Sequence, residues 1–237
     1  MKTTTSTLPD GYERLERALA HAGLASRREA KDLIVRGKVS VNGKVIRETG
    51  YGIKLGEDKV EVVGNPIATK ESVLIYKPRG IETTKTLPTS KDIHDEFPQY
   101  AHLSPIGRLD KESEGLIILS NDGTLTKAIT GLDSNVSKTY LVTTREAVSD
   151  SALKRMTNGI AIDGVMTKHA QTERRSPSSF MITLHEGRKH QIRRMCDALH
   201  LTIESLIRVS IGHLQKGSMK AGSSKKLAAA DISKLKQ

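Results

Sequence analysis

The sequence predicts an α+β protein in which a small helical and hairpin domain precedes a larger mixed domain. Three observations carry this prediction. An amphipathic helical pattern and an Asn-Gly hairpin lie close together near the N-terminus. From residue 72 onward strand and helix signals are interspersed, with no repeating βαβ unit. Between these regions Gly64-Asn65-Pro66 marks a break. The expected divisions are 12–64 for the first domain, 65–71 for a linker, 72–219 for the second domain and 220–237 for a basic, weakly ordered tail.

In the first domain Leu15, Ala18, Leu19 and Ala22 fall on one face of a helix that Gly23 can terminate. Ser26 and Glu29 have the spacing of a capping box for a second helix, which buries Ala30, Leu33 and Ile34 and stops at Gly37. Val39 to Val45 reads as two short strands around Asn42-Gly43. Arg27, Arg28 and Lys31 cluster at the start of the second helix, away from its apolar stripe. Three cations there gain nothing from the helix dipole, whereas a docked phosphate would be held by both.

In the second domain Val73 to Tyr76 reads as a buried strand ended by Lys77-Pro78-Arg79-Gly80. Thr83 to Gln99 reads as an irregular loop with one helical turn. Leu116 to Leu119, Thr139 to Thr143 and Phe180 to Leu184 read as strands, and Gln191 to Leu199 as a helix. From Lys216 onward there are six lysines and one aspartate, with room for a short helix at Lys226 to Leu235.

The bulk composition narrows the function. The 237 residues are 36% hydrophobic and 27% charged, an ordinary globular balance. A net charge of +11 is not ordinary and points to a polyanionic partner, nucleic acid before membrane surface. Apolar runs are of strand length, far short of the roughly 20 residues of a spanning helix, and Met1 to Gly11 lacks the apolar stretch of a signal peptide. A single cysteine, Cys196, excludes an internal disulfide and a multi-cysteine zinc site, and suits a reducing cytoplasm. There is no Walker A sequence, the eight histidines lack metal-ligand spacing, and the seven aromatics form no stacking pair of the RNA-recognition-motif type.

The densest chemistry lies in Gly107-Arg108-Leu109-Asp110, followed by Lys111-Glu112-Ser113-Glu114-Gly115, an apolar strand and an Asn121-Asp122-Gly123 turn. One carboxylate stands between an arginine and a lysine, which favour its ionised form. Glu112 and Glu114 read as solvated. Two further segments look convergent: Lys138-Thr139-Tyr140, and Gly187-Arg188-Lys189-His190-Gln191-Ile192-Arg193-Arg194.

On these residues the chain resembles the pseudouridine synthases of the RsuA/RluF type. The resemblance runs over nearly the whole length. It includes Lys77-Pro78-Arg79-Gly80, the Gly107 to Asp110 motif with its strand and Asn-Asp-Gly run, Lys138-Thr139-Tyr140, and Gly187 to Met195. The N-terminal domain is similar to the alpha-L RNA-binding module of a ribosomal small-subunit protein. Ser218-Met219-Lys220 departs from the pattern, because many members carry a tryptophan-arginine pair there.

The resemblance implies a mostly antiparallel catalytic sheet and conversion of a uridine within RNA to pseudouridine. It makes Asp110 the catalytic carboxylate, as nucleophile or as base, Arg193 its partner, and Tyr140 the ring that stacks on the flipped base. Arg108 would hold the extruded nucleotide or its vacated space. Arg27, Arg28, Lys31, Arg188, Lys189, His190 and Arg194 are assigned to RNA binding, and Ile192 and Leu206 to core rather than to a uracil pocket. An isomerisation needs no cofactor or metal. The expected partner of this monomer is ribosomal RNA, with tRNA as the alternative. The alternative to an enzyme is a non-catalytic RNA-binding or ribosome-assembly factor; a methyltransferase lacks its glycine-rich cofactor loop.

Overall fold

The computed structural model describes residues 8–9, 11–21, 24–25, 27–54, 57–62, 70–131 and 133–237. Ala22, Gly23, Ser26 and most of the expected linker lie outside these residues, so the proposed first-helix stop, the capping box and the Gly64-Asn65-Pro66 break do too. The chain divides into two compact units, residues 1–71 with 121–124, and residues 72–120 with 125–237.

The first unit contains β1 (Tyr12–Arg14), α1 (Leu15–His21), α2 (Arg27–Val35), β2 (Val39–Val41), β3 (Lys44–Ile46), β4 (Gly52–Lys54) and β5 (Val60–Val62). Leu15, Ala18 and Leu19 of α1 pack with Ala30 and Ile34 of α2, as their helical spacing requires. Leu33 is partly buried on the same core. After α2 the Gly37 amide donates to Ile34 O at 2.9 Å and the Lys38 amide to Leu33 O at 2.9 Å. That is a Schellman stop, and Gly37 supplies its positive φ of 67°. Asn42 and Gly43 both have positive φ, 51° and 79°, which makes the tight turn joining β2 to β3. Arg27, Arg28 and Lys31 are all exposed.

The second unit is built on one large sheet. Its elements are β6 (Ser72–Lys77), α3 (Ile93–Glu96), β7 (Ser104–Ile106), β8 (Glu114–Ser120), α4 (Gly123–Thr130), β9 (Lys138–Thr144), α5 (Asp150–Asn158), β10 (Ala161–Ile162), β11 (Val165–Met166), β12 (Gln171–Ser176), β13 (Ser179–Leu184), α6 (Gln191–Asp197), β14 (Ile203–Ile211), β15 (Leu214–Gln215), β16 (Ser224–Lys226) and α7 (Ala229–Leu235). The strand order is β12-β13-β9-β14-β8-β6-β16, with β7 beside β8 and β15 beside β14. Within this sheet β14 with β8 is the parallel pair and the other pairings are antiparallel.

β6 and β8 are continuous apolar runs because both sheet faces are covered. Leu74, Leu116 and Ile118 face one core with Leu125 and Ile129 of α4 and Leu235 of α7. Val73, Ile75, Ile117 and Leu119 face another with Ile93, Phe97 and Leu103. Ile192 and Met195 of α6 join β9, β13 and α5 in a third, which also takes Leu206.

Two segments differ from their sequence reading. The C-terminal stretch is no weakly ordered tail: Ser224–Lys226 pairs with β6, and Leu235 of α7 is 2% exposed. Its lysines hide the few apolar residues that tie it down. Asn121-Asp122-Gly123 is not a free turn but the start of α4, where the Asp122 carboxylate accepts from the Thr124 amide at 3.0 Å. A short acid before a helix makes the same local bond as one in a turn, so the sequence reads as either. The irregular loop around Thr83–Gln99 does contain one helical turn, α3, closed by a capping box between Asp92 and Asp95.

Candidate active site

The turn between β7 and β8 carries Asp110. Its own backbone groups are the anchor points. The Thr83 hydroxyl donates to Leu109 O at 2.7 Å and accepts from the Leu109 amide at 2.9 Å. The Gly80 amide donates to Lys111 O at 2.8 Å, and the Ser113 amide to Asp110 O at 3.0 Å. Just after the turn, Gly115 has φ 114° and lies so close to β14 that a Cβ would stand 2.3 Å from Arg208 O. Only glycine fits that crossing.

The Asp110 side chain is 36% exposed and therefore open to a solute. Two side chains from the start of α6 reach its carboxylate. Arg193 Nε lies 3.6 Å from Oδ2, and His190 Nε2 lies 3.4 Å from Oδ1. Arg193 also donates from Nη2 to the buried Ser113 hydroxyl at 3.0 Å. Arg108 and Lys111, its neighbours in sequence, are both exposed. Glu112 is exposed as expected, but Glu114 is half-buried at the start of β8. Its charge helps push the buried Tyr76 phenol up to about 12, behind burial itself.

Beneath the turn lie two cations that the sequence reading left without a role. Lys77 is 0% exposed, and its Nζ donates to Pro78 O at 2.9 Å and Ile81 O at 2.7 Å. Burial pulls its pKa down to about 8, against the opposing pull of Asp110, Glu114 and Glu112, and Arg208 adds to the lowering. Arg208 is 5% exposed. Its sequence gives little warning, since it sits in a strand of alternating pattern; Lys77, by contrast, closes an apolar run where a solvated lysine would be out of place. Arg208 pairs in register with Gly115 on β8 and with Tyr140 on β9. Tyr140 is half-buried and packs on the third core.

The remaining basic residues of the Gly187–Arg194 segment divide. Lys189 is exposed. Arg188 donates from Nη1 to Val165 O at 3.0 Å and from Nη2 to Met166 O at 2.5 Å. Arg194 pairs with Asp163. Both therefore grip the β10–β11 hairpin instead of standing free. Gln191, also unassigned by the sequence, accepts from the Arg188 amide at 3.0 Å and donates to Glu186 at 2.8 Å, which fixes the entry to α6. Among the described residues no group of three or more His, Cys, Asp or Glu side chains is placed to hold a metal ion.

Comparison with known proteins identifies the families of both units. Residues 71–198 match the RNA pseudouridylate synthase family, and residues 13–59 match the S4 domain. The chain is 33% identical over 236 residues to ribosomal large subunit pseudouridine synthase B of Bacillus subtilis, covering 94% of this chain and 96% of that protein. It is 35% identical over 221 residues to the dual-specificity RNA pseudouridine synthase RluF of Escherichia coli K12, covering 91% and 75%. A solved pseudouridylate synthase superposes with a TM-score of 0.71 at 28% identity, covering 94% of this chain and 99% of that one. Both units thus match known families in the same order along the chain, and this chain belongs to the RNA pseudouridylate synthase family.

Proposed function

We propose that this protein isomerises a uridine of ribosomal RNA to pseudouridine, with Asp110 as the catalyst. The observation that carries the assignment is the pairing of a solvent-reachable Asp110 with Arg193 on a turn held by Thr83, Gly80 and Ser113. The name of the Bacillus subtilis relative supports ribosomal RNA of the large subunit as the substrate.

The reaction breaks the bond between uracil N1 and the anomeric carbon, turns the base, and joins its carbon 5 to that carbon. The proton lost from carbon 5 balances the one gained at N1. No electrons are exchanged with a third party. Asp110 acts at the sugar, either as nucleophile on the anomeric carbon or as base on the ribose, and both roles require the carboxylate. Arg193 orients it. Tyr140 stacks on the everted base, and Arg108, exposed beside the turn, holds the strand from which the base has left. The exposed Arg27, Arg28 and Lys31 of residues 12–64 add sequence-blind affinity for phosphates. We place the protein in the cytoplasm as a monomer; among the described residues no helix is long and apolar enough to cross a membrane.

Asp110→Asn tests the assignment. Pseudouridine formation on ribosomal RNA should vanish while RNA affinity stays within about twofold, because the loss belongs to the transition state. Product from the Asn variant would show that Asp110 is not the catalyst, whereas no product from the unaltered protein would reduce it to an RNA-binding factor. Mapping pseudouridines in ribosomal and transfer RNA with and without the gene identifies the target.

A further inference from the structure

His190 stands immediately before α6 with φ 54° and ψ 30°, a left-handed conformation that few non-glycine residues adopt. Its surroundings over-determine that conformation. The Arg194 amide donates to His190 O at 3.0 Å, and the Gln191 amide donates to Arg188 O at 3.2 Å. Gln191 and Arg188 are locked in turn to Glu186 and to the β10–β11 hairpin. A backbone held in a costly state by its neighbours calls for a reason at the side chain.

The side chain is not there to be buried, since it is 48% exposed. Its two basic predecessors turn elsewhere, Arg188 to the hairpin and Lys189 to solvent. The imidazole alone goes inward, to 3.4 Å from Asp110 Oδ1, while Arg193 faces Oδ2. A carboxylate turns readily about its last torsion. One contact on one oxygen leaves that rotation free, whereas contacts on both oxygens from one rigid helix start fix the plane. Both distances exceed an ordinary charge-assisted hydrogen bond, as expected before substrate closes the site.

We infer that His190 is a positioning residue for Asp110, holding Oδ1 through Nε2 so that the carboxylate keeps one orientation toward the sugar. This deepens the proposed reaction and rests on it. It also moves His190 from the RNA backbone, where its basic neighbours in sequence put it, to the acid.

Two near-isosteric variants separate this role from a backbone one. A glutamine amide nitrogen reaches about as far as Nε2, whereas an asparagine amide reaches only as far as Nδ1. Asparagine, however, tolerates the left-handed conformation better. Positioning through Nε2 therefore predicts that His190→Asn lowers single-turnover kcat about tenfold or more with KM within about twofold, and that His190→Gln recovers most of the rate. Melting temperatures of both variants should stay near that of the unaltered protein. A backbone role predicts the reverse order, and an Asn variant at least as active as the Gln variant overturns the inference. So does a loss seen in KM alone with a salt slope reduced by about 1, which would mark a phosphate contact. A readout independent of turnover is the imidazole nitrogen resonance of His190: it should move in Asp110→Asn. No movement rejects the contact even if the protein makes pseudouridine, whereas an inactive protein that shows the movement rejects only the proposed reaction.

Discussion

Arg208 donates from Nε to the carbonyl of Leu116 at 2.6 Å, joining residues 92 positions apart in the chain. The same guanidinium reaches Arg108 O from Nη1 at 3.5 Å, so one buried side chain holds the backbone on both sides of Asp110. Among the described residues its Nη2, also buried, has no hydrogen-bond partner. A cation taken out of water at this cost is explained by what it fastens. Arg208→Lys keeps the charge but cannot fork to two carbonyls. A buried acceptor left unpaired costs about 1–3 kcal/mol, so the variant should melt lower and lose kcat more than affinity. Arg208→Met should lose more on both counts. Calorimetry beside single-turnover kinetics measures the two, and a Met variant with unaltered melting and rate would show that the turn holds itself.

Arg193 serves two partners at once, Asp110 through Nε and Ser113 through Nη2. Ser113 in turn closes the Asp110 turn with its amide. A planar fork can meet both partners; the single ammonium of lysine cannot. Arg193→Lys should therefore reduce kcat by about 10–100-fold, since a misplaced group loses most of the benefit of orientation. Ser113→Ala should be milder. If the hydroxyl works only by fixing the guanidinium, the double variant will be no worse than Arg193→Lys alone. Additive losses in that cycle would show that the serine acts on its own.

The basic residues assigned to RNA should separate by salt dependence. Arg27, Arg28 and Lys31 are exposed at the start of α2, free to meet phosphate. Each alanine replacement should lower the slope of log affinity against log salt by about 1, and the triple variant by about 3. Arg194 is instead spent on Asp163. Arg194→Ala should leave the slope unchanged while amide exchange quickens in the β10–β11 hairpin. Filter binding at several salt concentrations decides both, and a triple variant of unchanged slope would make the α2 face merely solvated.

The legible parts of this chain were those with local signatures. Hydrophobic spacing announces α1, α2 and α6, the Asn42-Gly43 pair announces its hairpin, and apolar runs announce β6 and β8. The acid and its arginine were legible through motif resemblance, 83 residues apart in sequence yet 3.6 Å apart in space. Long-range polar bonds were not legible. Nothing local says that Arg208 reaches Leu116, that Arg193 finds Ser113, or that Arg188 and Arg194 turn to a hairpin. A basic run looks like a solvated or RNA-facing patch whatever its partners. The C-terminal strand was hidden for a related reason: Ser224-Lys225-Lys226 is polar, and edge pairing with β6 comes from backbone groups that composition does not display.

Lys77 gives a pH test of the ground beneath Asp110. The side chain is fully buried, and its Nζ is shared between Pro78 O and Ile81 O. Burial lowers its folded pKa from the ordinary 10.5 to about 8, only partly opposed by Asp110, Glu114 and Glu112. Between those two values the unfolded chain holds a proton that the folded protein has released. Stability therefore rises with pH across that window, and the contribution disappears as pH falls through about 8. Lys138, half-buried and lowered to about 8 by desolvation, adds the same trend to any variant that keeps it. Comparing the protein with Lys77→Met cancels the Lys138 share. The unfolding free energy of the unaltered protein, measured relative to Lys77→Met by urea titration, should grow between about pH 8 and pH 10 and be flat from about pH 6 to 7. A gap that stays constant up to pH 10 would mean that Lys77 keeps an ordinary lysine's proton in the fold, and that the layer under the catalytic turn is better solvated than its burial implies.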